Sequence, residues 1–573
     1  MSVTEPSRSS PIRIGNASGF YGDRLAAMRE MLEGGHLDVL TGDYLAELTM
    51  LILGRDRLRD PSLGYARTFL RQLEDCLGTA LDKGVAIVAN AGGLNPAGLA
   101  AGIADLAARL GLAPKIAYVT GDDLLSRAAE LGFGDPVAAN AYLGGWGIAA
   151  CLQAGADVVV TGRVTDASLV VGPAAAHFGW AADAYDALAG AMAAGHVIEC
   201  GAQATGGNYS FFTEIADLRH PGFPIAEIYP DGSSVITKHP GTGGAVTVGT
   251  VTAQLLYEVA GPRYAGPDAT LRLDFVQLSQ DGPDRVAITG VQGEPPPPTL
   301  KVSLNTLGGY RNQVEFLLTG LDIEAKAALV ESQLRDVLPP DVQWELARTD
   351  RADAGTEEQA TATLRCIAHG ADSKAIGRAF SGAAVELALA SYPGFHLTSP
   401  PVDAQPYGVF TAAYLDRAEV QHVAVLPDGR AVPAADPATF AVLTPVPEPE
   451  EPSWTGGGRT RRVPLGTVAG ARSGDKGGDA NVGVWARDDA TWPWLAATLT
   501  VEKLRELLPE AAALPVTRYV LANLRAVNFV IEGLLGEGVA AAARFDPQAK
   551  AVGEWLRSRH VDVPVELLGD GAR

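Results

Sequence analysis

The sequence predicts an α/β protein: a parallel-sheet N-terminal region with an α+β subdomain, followed by a small C-terminal α/β sandwich. Three observations carry this prediction. Short apolar runs alternate with helical patterns through the first 170 residues, whereas beyond residue 200 short strands follow one another between turn signals. A run rich in proline, acid and glycine at 445–462 (PVPEPEEPSWTGGGRTRR) then precedes a final stretch long enough for one small domain. At 573 residues the chain also exceeds what a single core normally holds.

In order, strands are expected at 12–14, 38–40, 85–89, 116–119 and 157–160. Helical spacing marks the intervening 44–53, 96–110 and 122–131. Continuous apolar strands alternating with helices imply a parallel sheet covered on both faces. From 200 onward, 235–238, 246–256, 271–277, 285–292 and 300–305 read as strands, 323–337 as a helix and 356–390 as helical. This gives a main domain over 11–445, parallel to about residue 200 and α+β after it. A linker at 446–462 leads to a C-terminal domain at 463–573. There, strands at 464–469 and 480–486, a helix at 501–508 and a strand at 516–521 suit a ferredoxin-like sandwich.

Composition narrows the function. Lys and Arg number 45 against 67 Asp and Glu, a net charge of −22, which argues against nucleic acid as a partner. A small anionic substrate is compatible, because one pocket can carry the opposite sign to the whole surface. The four cysteines (Cys76, Cys151, Cys200, Cys366) lack C-x-x-C spacing and read as reduced thiols of a cytoplasmic protein. Residues 1–10 are polar, without the apolar core of a signal peptide, and are expected to be disordered. The apolar stretch at 85–112 is broken by Asn90, Asn95, Pro96 and Asp105, so no membrane span is expected. Chains of this size commonly form symmetric homo-oligomers, and that is the expectation here.

In a parallel sheet, the loops after the carboxyl ends of the strands share one crevice. Here those loops are rich in glycine and short polar side chains. The first carries Asn16 and Ser18; the third reads Asn90-Ala91-Gly92-Gly93-Leu94-Asn95. Three more share a Thr-Gly dipeptide followed by Asp43, by Asp122, and by Arg163 and Asp166. Each acid alone has a capping explanation. Together on one rim they can supply a general base, oxygen ligands for a divalent cation, or partners for a polar substrate. No histidine accompanies them, which favours acid–base or orienting roles over a metal. The glycines Gly15, Gly19 and Gly22 match a dinucleotide fingerprint only loosely, with the wrong spacing.

Two further concentrations stand out. Glu199-Cys200 precedes a glycine-rich string containing Asn208, and Lys238-His239 opens another. A cysteine with a histidine elsewhere can form a thiolate nucleophile, and Lys238 suits an anion. The stretch 471–481 places Arg472, Asp475 and Lys476 in what reads as a glycine-rich loop suited to an anion, without Walker spacing.

Seven strings carry a resemblance: RIGNASGFYGDR, DYLAELTM, NAGGLNP, TGRVTDASL, ECGAQATGGNY, KHPGTGG and ARSGDKGGDANVGV. In this order, and over nearly the whole chain, they resemble the family of acyclic terpene utilisation protein A. The resemblance implies a main domain to about residue 445 and a C-terminal ferredoxin-like domain. It also implies a place in the breakdown of acyclic terpenoids, beside acyl-CoA carboxylases, dehydrogenases and enoyl-CoA hydratases. The family carries no agreed catalytic set, so no role is transferred from it to a residue.

The function expected is an enzyme acting on a branched-chain acyl-CoA or related carboxylate, by lyase or hydro-lyase chemistry on a 3-hydroxyacyl thioester. A CoA thioester is then the substrate; no cofactor is assigned, and a divalent cation stays open. Asp43 or Asp166 serves as base, Arg163 or Lys238 stabilises negative charge, and Asn16 and Asn90 orient the substrate. Ser18, Asn95, Asp122, Asn208, Arg472, Asp475 and Lys476 are further candidate binding residues. The alternatives are a hydrolase using Cys200 with His239, and a non-catalytic accessory subunit of an acyl-CoA enzyme.

Overall fold

The computed structural model describes residues 10–339 and 341–569, so most of the expected disordered N-terminus lies outside the described residues. The chain divides into two compact units. The larger takes Met1–Asn305, Phe410–Val539 and Gln548–Arg573; the smaller takes Thr306–Val409 and Ala540–Pro547.

The larger unit is built on strands β1 (Ile12–Asn16), β2 (Val39–Gly42), β3 (Ala86–Ala89) and β4 (Ile116–Thr120). They are followed by β5 (Ala138–Ala141), β6 (Val158–Thr161), β7 (Pro224–Ile228) and β8 (Ser234–Lys238). The parallel core runs β1-β2-β3-β6-β4. Antiparallel strands extend this core on both sides into an eleven-stranded sheet. Its helices are α1 (Ala27–Gly34), α2 (Glu47–Arg59), α3 (Arg67–Lys83) and α4 (Pro96–Leu110), then α5 (Trp146–Gln153), α6 (Ser168–Phe178), α7 (Tyr185–Ile198) and α8 (Val248–Leu255).

The strands are apolar on both faces because both are covered. Leu40, Ile87, Val158 and Val160 pack with Met31, Phe69, Leu73, Leu99 and Ile103 of α1, α3 and α4. The alternate residues Val39, Val88 and Val159 pack with Ile148, Val170 and Val197 of α5, α6 and α7. Each such side chain, taken fully out of water, contributes roughly 1.5–3 kcal/mol. α7 is buried almost all round, so its last turn delivers His196 and the following Glu199 into the interior.

The α/β class and the five parallel strands agree with the sequence. Four local expectations are corrected. The stretch 246–256 forms α8 rather than a strand, because Thr247 and Thr250 make a reciprocal capping box that starts a helix. At 122–131 there is only a 3-10 turn, Leu125–Arg127, since Asp123 binds the backbone of Leu125. The 356–390 region opens with strand Thr361–Gly370 before its helix Phe380–Glu386. The glycine-rich stretch 471–481 is no loop but part of a hairpin, Ala469–Lys476 against Asp479–Ala486.

That hairpin belongs to a four-stranded antiparallel sheet with Ala526–Ile531 and Val516–Leu521. Helices Trp492–Thr498, Val501–Leu507 and Val552–Ser558 pack with it around Val482, Val484, Phe529, Leu495 and Leu556. In the smaller unit, residues 310–319 of strand Thr299–Thr319 pair with Thr361–Gly370, which also pairs with Gln343–Ala347. Helix Ile323–Leu334 closes its core on Phe316, Leu318 and Leu364. Among the described residues no helix is long and apolar enough to cross a membrane.

Candidate functional site

The carboxyl ends of β1, β2, β3 and β6 bring their polar residues together. Asp43 follows β2; its amide donates to the Ser18 carbonyl (2.9 Å), which ties the first two loops. Asp43 Oδ1 accepts from Asn90 Nδ2 (2.6 Å) and from the Leu45 amide (3.0 Å). Asn90 in turn accepts from the Tyr44 amide (2.7 Å). Arg163, after β6, donates to Asp166 Oδ1 (2.8 Å) and the Leu45 carbonyl (3.2 Å), and its guanidinium lies 4.3 Å from the Tyr142 ring centre. Asn16 Nδ2 donates to the Glu199 carbonyl (3.2 Å), joining the first loop to the end of α7.

Burial sets the charges. It raises the Asp43 carboxyl well above the usual carboxylate range; the nearby Asp166 charge adds to this, while Arg163 opposes it. Burial also acts against the Arg163 charge, but Asp166, Tyr142 and Asp43 more than offset that, and the guanidinium stays cationic. Glu199 is likewise pushed well up by burial and by Asp166 and Glu258. Its Oε1 meets His196 Nδ1 at 3.1 Å, one turn back on α7. Burial, with Lys476, pushes His196 down to about 4, so the imidazole is neutral near pH 7. Asp122 is pushed up to about 7 by burial, although its Oδ2 accepts from the Arg163 amide and from Asn140 Nδ2.

The C-terminal sheet supplies the facing side of this cluster. Gly474 and Gly483 are strand glycines at close approaches: a Cβ there would lie 2.5 Å from the Tyr257 ring and 2.6 Å from Leu256. Asn481 accepts from the Glu258 amide (2.8 Å), and Asn528 donates to the Val259 carbonyl (2.9 Å), so the segment after α8 is held on the sheet. Glu258 takes a left-handed backbone conformation, φ 57°. Ser473 Oγ donates to the Ala549 carbonyl (2.6 Å) and accepts from the Gly553 amide (2.8 Å), which positions Lys550.

Arg472 binds Gln203 through its side chain and the Asn208 carbonyl (3.3 Å), with its guanidinium 4.5 Å from the Tyr257 ring centre. Lys550 contacts the Tyr257 hydroxyl, and its Nζ lies 3.3 Å from both Glu258 and Asp475. Lys476 donates to the Glu258 carbonyl (2.8 Å). Burial opposes the Glu258 charge, yet Lys550, Tyr257 and Lys476 hold that carboxyl below its usual range. Burial and Glu258 raise Asp475. Tyr264, 4.8 Å from the His196 ring centre, is raised by burial and by Glu199 and Asp166.

Asn16, Ser18, Asp43, Asn90, Arg163, Asp166 and Cys200 thus share one neighbourhood with Arg472, Asp475 and Lys476. Asp122 adjoins it through the Arg163 backbone, and Asn208 touches it by its carbonyl alone. Two expectations are corrected here. His239 packs its ring against Gly34 and Gly35 and pairs with the Met31 carbonyl (2.9 Å). His239 is thus engaged by the first helix and away from Cys200, on which Glu199, Glu258, Arg472 and Asp43 act. Burial and those acids push the Cys200 thiol well up, which disfavours a thiolate. Lys238 is engaged by Asp284 (3.0 Å) and the Thr242 carbonyl (2.7 Å), because the 239–244 turn folds back over it. Asn95 caps α4 through the Gly98 amide (2.9 Å).

The sequence alone does not single out His196, Tyr257, Tyr264, Glu258 or Lys550, and it leaves Glu199 without a role. The H-x-x-E spacing of His196 and Glu199 on one helix was an available signal. Nothing in the sequence marks the other four. Gly19 has a structural reason: a Cβ there would lie 2.7 Å from the Cys200 carbonyl carbon. Among the described residues no group of three or more His, Cys, Asp or Glu is disposed to hold a metal ion.

Comparison with known proteins gives two matches. Residues 12–426 match the family described as acyclic terpene utilisation family protein AtuA, and residues 463–562 match the AtuA ferredoxin-like domain. No curated protein and no solved structure matches. The two matches span both the loops of the parallel sheet and the sheet that faces them, and the chain belongs to the AtuA family of acyclic terpene utilisation, with a C-terminal AtuA ferredoxin-like domain.

Proposed function

We propose that the protein is an enzyme of branched-chain acyl-CoA or carboxylate catabolism of the acyclic terpenoid type, a lyase or hydro-lyase acting on a 3-hydroxyacyl thioester. One observation carries this reading: Asp43 and Asp166 both act on Arg163, and burial drives one of the two acids toward its neutral form. A buried carboxyl raised toward its neutral form can act as the acid beside a second carboxyl that acts as base.

In the lyase form, Asp166 takes the proton of the 3-hydroxyl. The C2–C3 bond breaks, C3 becomes a carbonyl, and the electron pair passes to the thioester enolate. Arg163 stabilises that negative charge and neutral Asp43 returns a proton to C2. In the hydro-lyase form the base takes the C2 proton and the acid protonates the departing hydroxyl. The same two carboxyls serve both. The raised Cys200 thiol, and the engagement of His239 by the Met31 carbonyl, weigh against a cysteine hydrolase. An accessory subunit has no need of a buried Arg163 between two carboxyls. The test is turnover of candidate 3-hydroxyacyl-CoAs by wild type and Asp166→Asn, read by mass spectrometry. Product is expected from wild type and a loss of at least about a hundredfold from the variant; identical profiles remove Asp166 from the mechanism.

A further inference from the structure

The side chains that the C-terminal sheet contributes lie outside the Asp43–Asp166–Arg163 group, and the reaction above does not use them. Their charge is unusual for this chain. Four cations, Arg163, Arg472, Lys476 and Lys550, stand among three carboxylates, Asp166, Glu258 and Asp475, while burial drives Asp43 and Glu199 toward neutrality. Arg472, Lys476 and Lys550 gather around Tyr257 and Glu258, a concentration of cationic side chains in a protein whose net charge is −22. Clustered cationic side chains concentrate an anion from solution. Arg472 adds a second observation. It is only 7% exposed, and its Nε is buried with no hydrogen-bond partner among the described residues. An unmatched buried guanidinium N–H is destabilising, and an oxygen acceptor recovers that loss.

We propose that Arg472, Lys476 and Lys550 form an anion subsite that holds carboxylate or phosphate oxygens of the substrate beside the Asp43–Asp166–Arg163 group. The ferredoxin-like domain then completes the site. Asp475 and Glu258 keep the two lysines in place, and Tyr257 separates Arg472 from Lys550 with its ring centre 4.5 Å and 4.6 Å from the two cations. The inference rests on the reading of this cluster as a substrate site, and it adds the substrate's charge to that reading.

The test is calorimetric binding of 3-hydroxybutyryl-CoA, free CoA and butyrate to wild type, Lys476→Gln and Lys550→Gln. Wild type is expected to bind the thioester more weakly as salt rises from about 50 to about 200 mM. Each variant is expected to lose about tenfold in affinity with unchanged circular dichroism. Binding of butyrate identifies a carboxylate as the group held, and binding of free CoA a phosphate. Unchanged affinity in both variants overturns the subsite, as does a failure of wild type to bind any of the three. No turnover enters this measurement, so a negative Asp166→Asn result refutes the reaction and leaves a lysine-dependent binding site standing.

Discussion

Replacing Asp122 by Asn is expected to stabilise the protein by an amount that grows with pH. Asp122 is 2% exposed, and burial raises its carboxyl from 3.8 to about 7 despite bonds from the Arg163 amide and Asn140. The sign follows from linkage: below about pH 4 both folded and unfolded forms carry the proton and no stability is lost. Between about pH 4 and 7 the unfolded chain ionises while the folded one stays protonated, so stability falls by about 1.4 kcal/mol per pH unit. Above about pH 7 the loss levels off at about 4 kcal/mol. Asn keeps an oxygen for the two donors and does not titrate. The advantage of Asp122→Asn over wild type should therefore widen by about 2.5 kcal/mol between pH 5 and pH 8. Urea denaturation of both proteins at matched pH reads this directly, with the difference between them cancelling the other carboxyls. A constant or narrowing gap would refute the claim that Asp122 is buried as a neutral acid.

Two other outcomes follow from single contacts. Gly19→Ala puts a methyl 2.7 Å from the Cys200 carbonyl carbon, and about 1–3 kcal/mol of destabilisation is expected in thermal melts; an unchanged midpoint argues against that packing. Cys200 should react with iodoacetamide at pH 7.5 at least about tenfold more slowly than glutathione, since burial and Glu199 raise its thiol. Rapid labelling at that residue, mapped by peptide mass spectrometry, would contradict the environment described.

The parallel strands were legible because their signal is local. The run Val158-Val159-Val160 has no polar alternate, which only a strand covered on both faces tolerates. Helix α4 was legible to its bounds, with Asn95 as cap, Pro96 in the first turn and Gly111 at its end. Errors arose where two local signals competed. The β-branched run at 246–252 favours a strand, but Thr247 and Thr250 cap a helix that packs its apolar side inward. The glycines of 471–481 suggested a loop, yet Gly474 sits mid-strand because the Tyr257 ring occupies the space its side chain would fill. His239 stood in a promising glycine-rich string, and only the fold shows its ring pressed against Gly34 and Gly35.

What the amino-acid order determined by itself was the α/β class and the gathering of Asn16, Asp43, Asn90 and Arg163 on one rim, since parallel strands end their loops on the same side. What only the tertiary structure decided was the set of C-terminal side chains that joins this rim. Lys550 lies 292 residues from Glu258, and Arg472 lies 269 from Gln203, separations over which no periodicity or motif carries information. Those partners, and the burial that raises the Asp43 and Glu199 carboxyls, are properties of packing: a side chain's charge depends on what surrounds it, and its surroundings come from distant parts of the chain.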